Sequence, residues 1–87
     1  MAERRHDRYL PGFGAMAARR QLTEALVARR VDLGLSQTEV AARMGTSQSA
    51  VARLEAGSGD VRLSSLERYA AAVEQTIDWR LGEARDA

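Results

Sequence analysis

Three glycines, at positions 34, 45 and 57, divide the middle of the chain, and the runs between them carry helical patterns. Two residues after Gly34 comes "SQTE", residues 36–39. This fits a capping box, in which the serine side chain caps the third amide of a helix and the glutamate reaches back to the serine amide. A helix is therefore expected over residues 37–44, with Val40, Ala41 and Met44 inward and Gly45 as its stop. A further helix is expected from just after Ser47 to about Glu55, with Val51 and Leu54 on its inner side.

Two short helices joined over a glycine form a helix-turn-helix geometry. The glycine is needed where the chain leaves the first helix with a positive φ. Ala41 is small where the two helices approach closely. Gln48, Ser49, Ala52 and Arg53 then share the outer face of the second helix, about one turn apart. In a DNA major groove, glutamine pairs bidentately with adenine, arginine with guanine, and serine bonds to either. The spacing alone leaves a polar face that merely meets water equally open.

The flanks are read more coarsely. Residues 1–14, with Pro11, Gly12 and Gly14, show no sustained period and are expected to form a flexible arm. His6 lies alone in that arm, and Arg4, Arg5 and Arg8 are read as ordinary solvated charges there, with contact to a polyanion as the alternative. From Ala15 to about Leu33 the composition is helical, with Leu22 and Leu26 four apart and Arg30 and Leu33 continuing roughly the same side. "AGSGD", residues 56–60, is a loop, and a fourth helix is expected from Ser64 or Ser65, with Leu66, Tyr69, Ala70 and Val73 as its apolar stripe. The domain thus spans residues 15–75, and residues 76–87 form a tail.

Within that tail, "TIDWRL", residues 76–81, supports two readings. Ile77, Trp79 and Leu81 alternate with charged residues as a strand would, yet Val73, Ile77 and Leu81 also fall four apart as in a helix. Thr, Ile and Trp favour the strand. A lone strand in a helical chain needs a second copy of itself, so the strand reading places it at a two-fold dimer interface.

Composition narrows the function classes. At 87 residues one small domain is expected. The absence of cysteine removes disulfides and thiolate chemistry, and neither a metal site nor a cofactor is expected. No apolar run approaches membrane-spanning length and no signal peptide is evident, so a cytoplasmic protein away from membranes is expected. All 13 basic residues are arginine, but the net charge is only +1 and does not itself argue for nucleic acid. No enzyme is expected, because the single histidine sits in the arm and Glu24, Glu39, Glu67 and Glu74 are spaced like solvated helix faces.

The order of motifs adds what spacing cannot. "GLSQ", then "EVA", then "GTSQ", then "LEAG", uninterrupted over residues 34–57, resembles the helix-turn-helix domain of the phage repressor and Cro type, the Xre family. The resemblance covers about residues 20–75 and implies an all-α, compact four- to five-helix bundle. It implies phosphate contacts for Gln37, Thr46 and Ser47, with Ser47 also capping the recognition helix, and a phosphate contact for Arg62. Gln48 and Ser49 match the positions that enter the major groove first, and Arg53 a later base-contacting one. Arg30 and Glu55 match a structural ion pair. Ala56, Asp60 and Ser64 depart from the family pattern, standing where relatives carry phosphate-binding or basic residues, which implies a modest electrostatic contribution.

The function implied is a sequence-specific transcriptional regulator: a homodimeric repressor bound to double-stranded DNA at an inverted repeat. The alternative is the antitoxin of a type II toxin–antitoxin pair, which binds a toxin protein and autorepresses.

Overall fold

Helix ends, more than helix interiors, organise this chain. The computed structural model describes residues 13–58 and 61–78, which form α1 (Phe13–Asp32), α2 (Gln37–Met44), α3 (Gln48–Ala56) and α4 (Leu63–Ala72). No strand occurs among the described residues. At eight to ten residues, α2, α3 and α4 are too short to persist alone and depend on packing for their stability.

The capping box forms as the sequence implies. Ser36 Oγ accepts from the Glu39 amide at 3.0 Å, and the Ser36 amide donates to Glu39 Oε1 at 2.7 Å. The two bonds satisfy donors that the first helical turn leaves orphaned. They also hold the fully exposed Glu39 carboxyl below its ordinary pKa, the backbone bond at Ser36 contributing most. At the other end of α2, Gly45 takes φ 74° and the Thr46 amide reaches back to the Ala41 carbonyl at 2.9 Å. A Cβ on Gly45 would meet nothing within 4 Å, so the requirement is conformational rather than one of space.

The core is a single cluster fed by every helix. Leu26 of α1, Val40 and Ala41 of α2, Val51 and Leu54 of α3, and Leu66, Tyr69, Ala70 and Ala72 of α4 are buried, with Val73 just beyond α4. Burial of each large side chain among these stabilises the fold by roughly 1.5–3 kcal/mol. Helix α2 packs chiefly against α3 and next against α4, while α1 lies against α3 and α4. The end of α4 is tied to the other helices by two arginines. Arg43 Nη1 of α2 donates to the Ala72 carbonyl at 2.8 Å, and Arg29 Nε of α1 donates to the Val73 carbonyl at 3.3 Å. These side chains satisfy carbonyls that the last turn cannot.

Three boundaries differ from the sequence reading. Helix α1 begins at Phe13 rather than Ala15. Helix α4 begins at Leu63, ahead of both serines, and its N-cap, Arg62, makes no side-chain capping bond. The serines suggested a cap there, but the chain enters the helix before reaching them. The tail differs most. Residues 76–78 are neither helix nor strand, and Ile77 packs against the core cluster. Glu74 at φ 63° explains the loss of the helical register, because it turns the chain out of α4 before Ile77 is reached. The remainder of the expected strand, including Trp79 and Leu81, lies outside the described residues, as do residues 1–12 of the expected arm.

The turn at Glu74 carries a consequence for stability. The Gln75 amide donates to the Ala70 carbonyl at 2.8 Å, the same closure that Gly45 permits after α2. Here a residue with a side chain bears the left-handed conformation, which costs an L-residue about 1–2 kcal/mol. Glycine forfeits part of that advantage through its more flexible unfolded chain. Glu74→Gly is therefore expected to stabilise the domain by ~0.5–1 kcal/mol, read as a higher denaturation midpoint at unchanged m-value. A lower midpoint would contradict this account of the turn.

Candidate nucleic-acid interface

The polar run from Thr46 to Ser49 sits where α2 hands over to α3. Ser47 is in extended backbone (φ −93°) and its Oγ accepts from the Ala50 amide at 3.1 Å, so it caps α3. Its Oγ also lies 3.2 Å from Ser49 Oγ. Gln48, Ser49 and Arg53 are exposed on α3, whereas Val51 and Leu54 of the same helix are buried. Thr46 is half-buried in the turn. Arg62 is exposed at the start of α4, on a different element from the reading face.

Behind this face lies a hydrogen-bonded polar chain. Gln48 Nε2 donates to Gln37 Oε1 at 2.6 Å, and Gln37 Nε2 donates to Glu55 Oε1 at 2.9 Å. The first residues of α2 and α3 are thereby joined. Glu55 also receives Arg30 through two nitrogens, Nε on Oε2 at 2.7 Å and Nη2 on Oε1 at 3.1 Å. The remaining Arg30 nitrogen, Nη1, donates to the Leu35 carbonyl at 2.9 Å. The Tyr69 hydroxyl supplies a fourth bond to Glu55, on Oε2 at 2.5 Å. One carboxylate at the end of α3 therefore gathers α1, α2 and α4.

The charge on Glu55 is held there against its surroundings. Burial pushes its pKa up, but the hydrogen bonds from Arg30, Tyr69 and Gln37, with the Arg30 charge, outweigh that and leave it below the ordinary value. The bond to Glu55 does most to raise Arg30. Tyr69 is pushed well up, chiefly by burial and then by its bond to Glu55.

These shifts give opposite pH limbs. The depressed Glu55 pKa contributes stability above the ordinary carboxylate value of 4.5, which is lost as pH falls through the folded value. The raised Tyr69 pKa contributes stability below the ordinary tyrosine value of 10.0, which is lost as pH rises toward the folded value. Thermal melts across about pH 3–11 are expected to show both limbs. Tyr69→Phe is expected to flatten the alkaline one. An alkaline limb of undiminished slope in Tyr69→Phe would refute the assignment.

Sequence reasoning paired Arg30 with Glu55 but kept Gln37 and Gln48 apart from that pair and from each other, and the fold brings all four into one chain. Tyr69 was visible only as one residue of an apolar stripe. The available signal was chemical: a tyrosine on a buried face needs a partner for its hydroxyl. Among the described residues, no group of acidic, histidine or cysteine side chains is arranged to hold a metal, and no helix is long and apolar enough to cross a membrane. A separate shallow cleft between α2 and α4 is lined by Arg43, Met44, Arg68, Ala71 and Ala72.

A small glycine-hinged helix pair, with its second helix polar outward and anchored from beneath, is the geometry of a helix-turn-helix domain. The chain belongs to the Xre-type helix-turn-helix family, whose model matches residues 26–80. Two similar curated proteins, both named Antitoxin HigA1, come from Mycobacterium tuberculosis strains CDC 1551 / Oshkosh and ATCC 25618 / H37Rv. Each is 47% identical over 58 residues, a match covering 67% of this chain and 39% of the relative. The match thus reaches well under half the length of these relatives. No solved structure matches the chain.

Proposed function

We propose that the protein is a sequence-specific DNA-binding transcriptional regulator that inserts the start of α3 into the major groove. The single observation that carries this is the exposed Gln48, aimed by Gln37 and lying beside the exposed Ser49 and Arg53 on a helix anchored through Val51 and Leu54. Gln48, Ser49 and Arg53 contact bases. Gln37, Thr46, Ser47 and Arg62 contact phosphates and set the register. Gln37 has one amide hydrogen beyond the one given to Glu55, and that hydrogen serves a phosphate at the start of α2. A homodimer on an inverted repeat, with half-sites ~34–36 Å apart, gives the affinity that one lightly charged domain lacks. The role is repression by occupancy in the cytoplasm, without catalysis.

A second reading is favoured by the named relatives: the protein is an antitoxin that binds a toxin protein and represses its own operon. The two readings share the DNA interface and differ in the protein partner. Co-purification with the product of a short reading frame beside its gene separates them.

Selection from random duplex DNA tests the proposal, with purified protein at low and near-physiological salt. An enriched inverted repeat is expected. Gln48→Ala is expected to cost ~1–3 kcal/mol on that site and to relax preference at one base pair. Equal weakening on every sequence would remove Gln48 from base reading.

A further inference from the structure

The polar chain behind α3 has a direction that its chemistry imposes. An ionised carboxylate has acceptors only. Each Glu55 oxygen already takes two donors, Arg30 Nε and the Tyr69 hydroxyl on Oε2, and Arg30 Nη2 and Gln37 Nε2 on Oε1. Gln37 must therefore turn its amide nitrogen toward Glu55, and its oxygen is left facing Gln48. Only a donor can meet that oxygen, so Gln48 turns Nε2 inward, at 2.6 Å. A glutamine amide has nearly the same shape in either orientation, and nothing in the side chain itself selects one. At Gln48 the selection comes from the half-buried Glu55 carboxylate, reached through Gln37.

We propose that Glu55 is a positioning residue for sequence reading: through Gln37 it fixes the amide orientation of Gln48, so that this glutamine accepts adenine and rejects guanine. The inference rests on the reading of α3 as the base-contacting helix. Adenine offers the major groove an acceptor at N7 and a donor at N6, whereas guanine offers acceptors at both N7 and O6. With Nε2 held by Gln37, its second hydrogen is left for N7, and Oε1 is left for the N6 donor. Guanine would place O6 against Oε1, two acceptors facing each other. Reversing the amide removes the adenine pairing and turns an N–H toward guanine O6. The orientation therefore decides between the purines, while Arg53 and Ser49 read their own positions independently of it.

The test is Glu55→Gln, which keeps the shape but replaces one acceptor with a donor, so that the Gln37 amide is no longer forced into one orientation. Selection with wild-type protein defines the site, and Gln48→Ala marks the base pair that Gln48 reads. At that pair, the adenine-over-guanine preference of Glu55→Gln is expected to fall from about tenfold or more to about twofold, with other positions unchanged. Leu66→Val, which destabilises the core but changes no polar atom of the chain, is expected to keep the full preference. A Glu55→Gln protein that binds with wild-type preference at that pair overturns the proposal and leaves the DNA reading intact. Failure of the wild type to enrich any sequence removes the reading itself, and the inference with it.

Should Glu55→Gln fail to fold, the free wild-type protein supplies the answer by NMR. One Gln37 side-chain amide proton is expected to exchange slowly and to couple through its hydrogen bond to the Glu55 carboxylate. Gln37 amide protons exchanging as fast as those of a free glutamine side chain would show that no orientation is held, and the proposal would fall.

Discussion

Glu55→Ala is expected to destabilise the domain by ~3–5 kcal/mol. The Arg30 and Glu55 side chains are only 16% and 9% exposed, so truncation leaves a guanidinium largely out of water without its counter-charge. It also orphans the Tyr69 hydroxyl and the Gln37 amide, both of which donate to the same carboxylate. Domains of this size hold a stability near the lower end of the usual ~5–15 kcal/mol. Glu55→Ala should accordingly be substantially unfolded at physiological temperature, with a much lower midpoint in urea. A loss below about 1 kcal/mol, as for an exposed ion pair, would contradict the structural role assigned to the pair. The size of the loss is also why the isosteric glutamine, rather than alanine, is the probe for sequence reading.

Leu66→Ala and Leu63→Ala should give opposite results, although the two leucines lie within one turn of α4. Leu66 is 1% exposed and enters the central cluster among Val40, Val51 and Tyr69. Its truncation removes transfer free energy and leaves a cavity that short helices cannot fully close, a cost of ~2–5 kcal/mol. Leu63 is 53% exposed, and its truncation should fall within about 0.5 kcal/mol of neutral. Equilibrium denaturation measures both. Comparable losses would mean that α4 presents a different face to the core from the one described.

The sequence showed most of this architecture where local chemistry acts alone. The Ser36–Glu39 box, the stop at Gly45 and the cap at Ser47 are decided within four residues, and α2 occupies the residues read from them. The apolar stripe of α4 was equally plain, since Leu66, Tyr69, Ala70 and Val73 are all buried. The tail was not legible over residues 76–78, because the four-residue spacing of Val73 and Ile77 is broken by a left-handed turn at Glu74. Nothing in a glutamate's identity announces that conformation. Of the site, only the Arg30–Glu55 pair was read as connected, and its link to Gln37, Gln48 and Tyr69 was hidden for a similar reason. Gln37 and Glu55 are eighteen positions apart, and only the packing of α2 on α3 brings their polar atoms together. Tyr69 was concealed by its apolar neighbours, though its hydroxyl reaches the same carboxylate from α4.

The central claim is that the start of α3, backed by Gln37, is the surface that meets DNA. Backbone and side-chain amide shifts recorded by NMR, as duplex DNA is titrated into the full chain, test it most directly. The account predicts the largest changes at Gln37, at residues 46–49 and at Arg53, with little change around Arg43, Met44, Arg68 and Ala71 in the cleft between α2 and α4. Shifts concentrated in that cleft, with α3 unmoved, would contradict it.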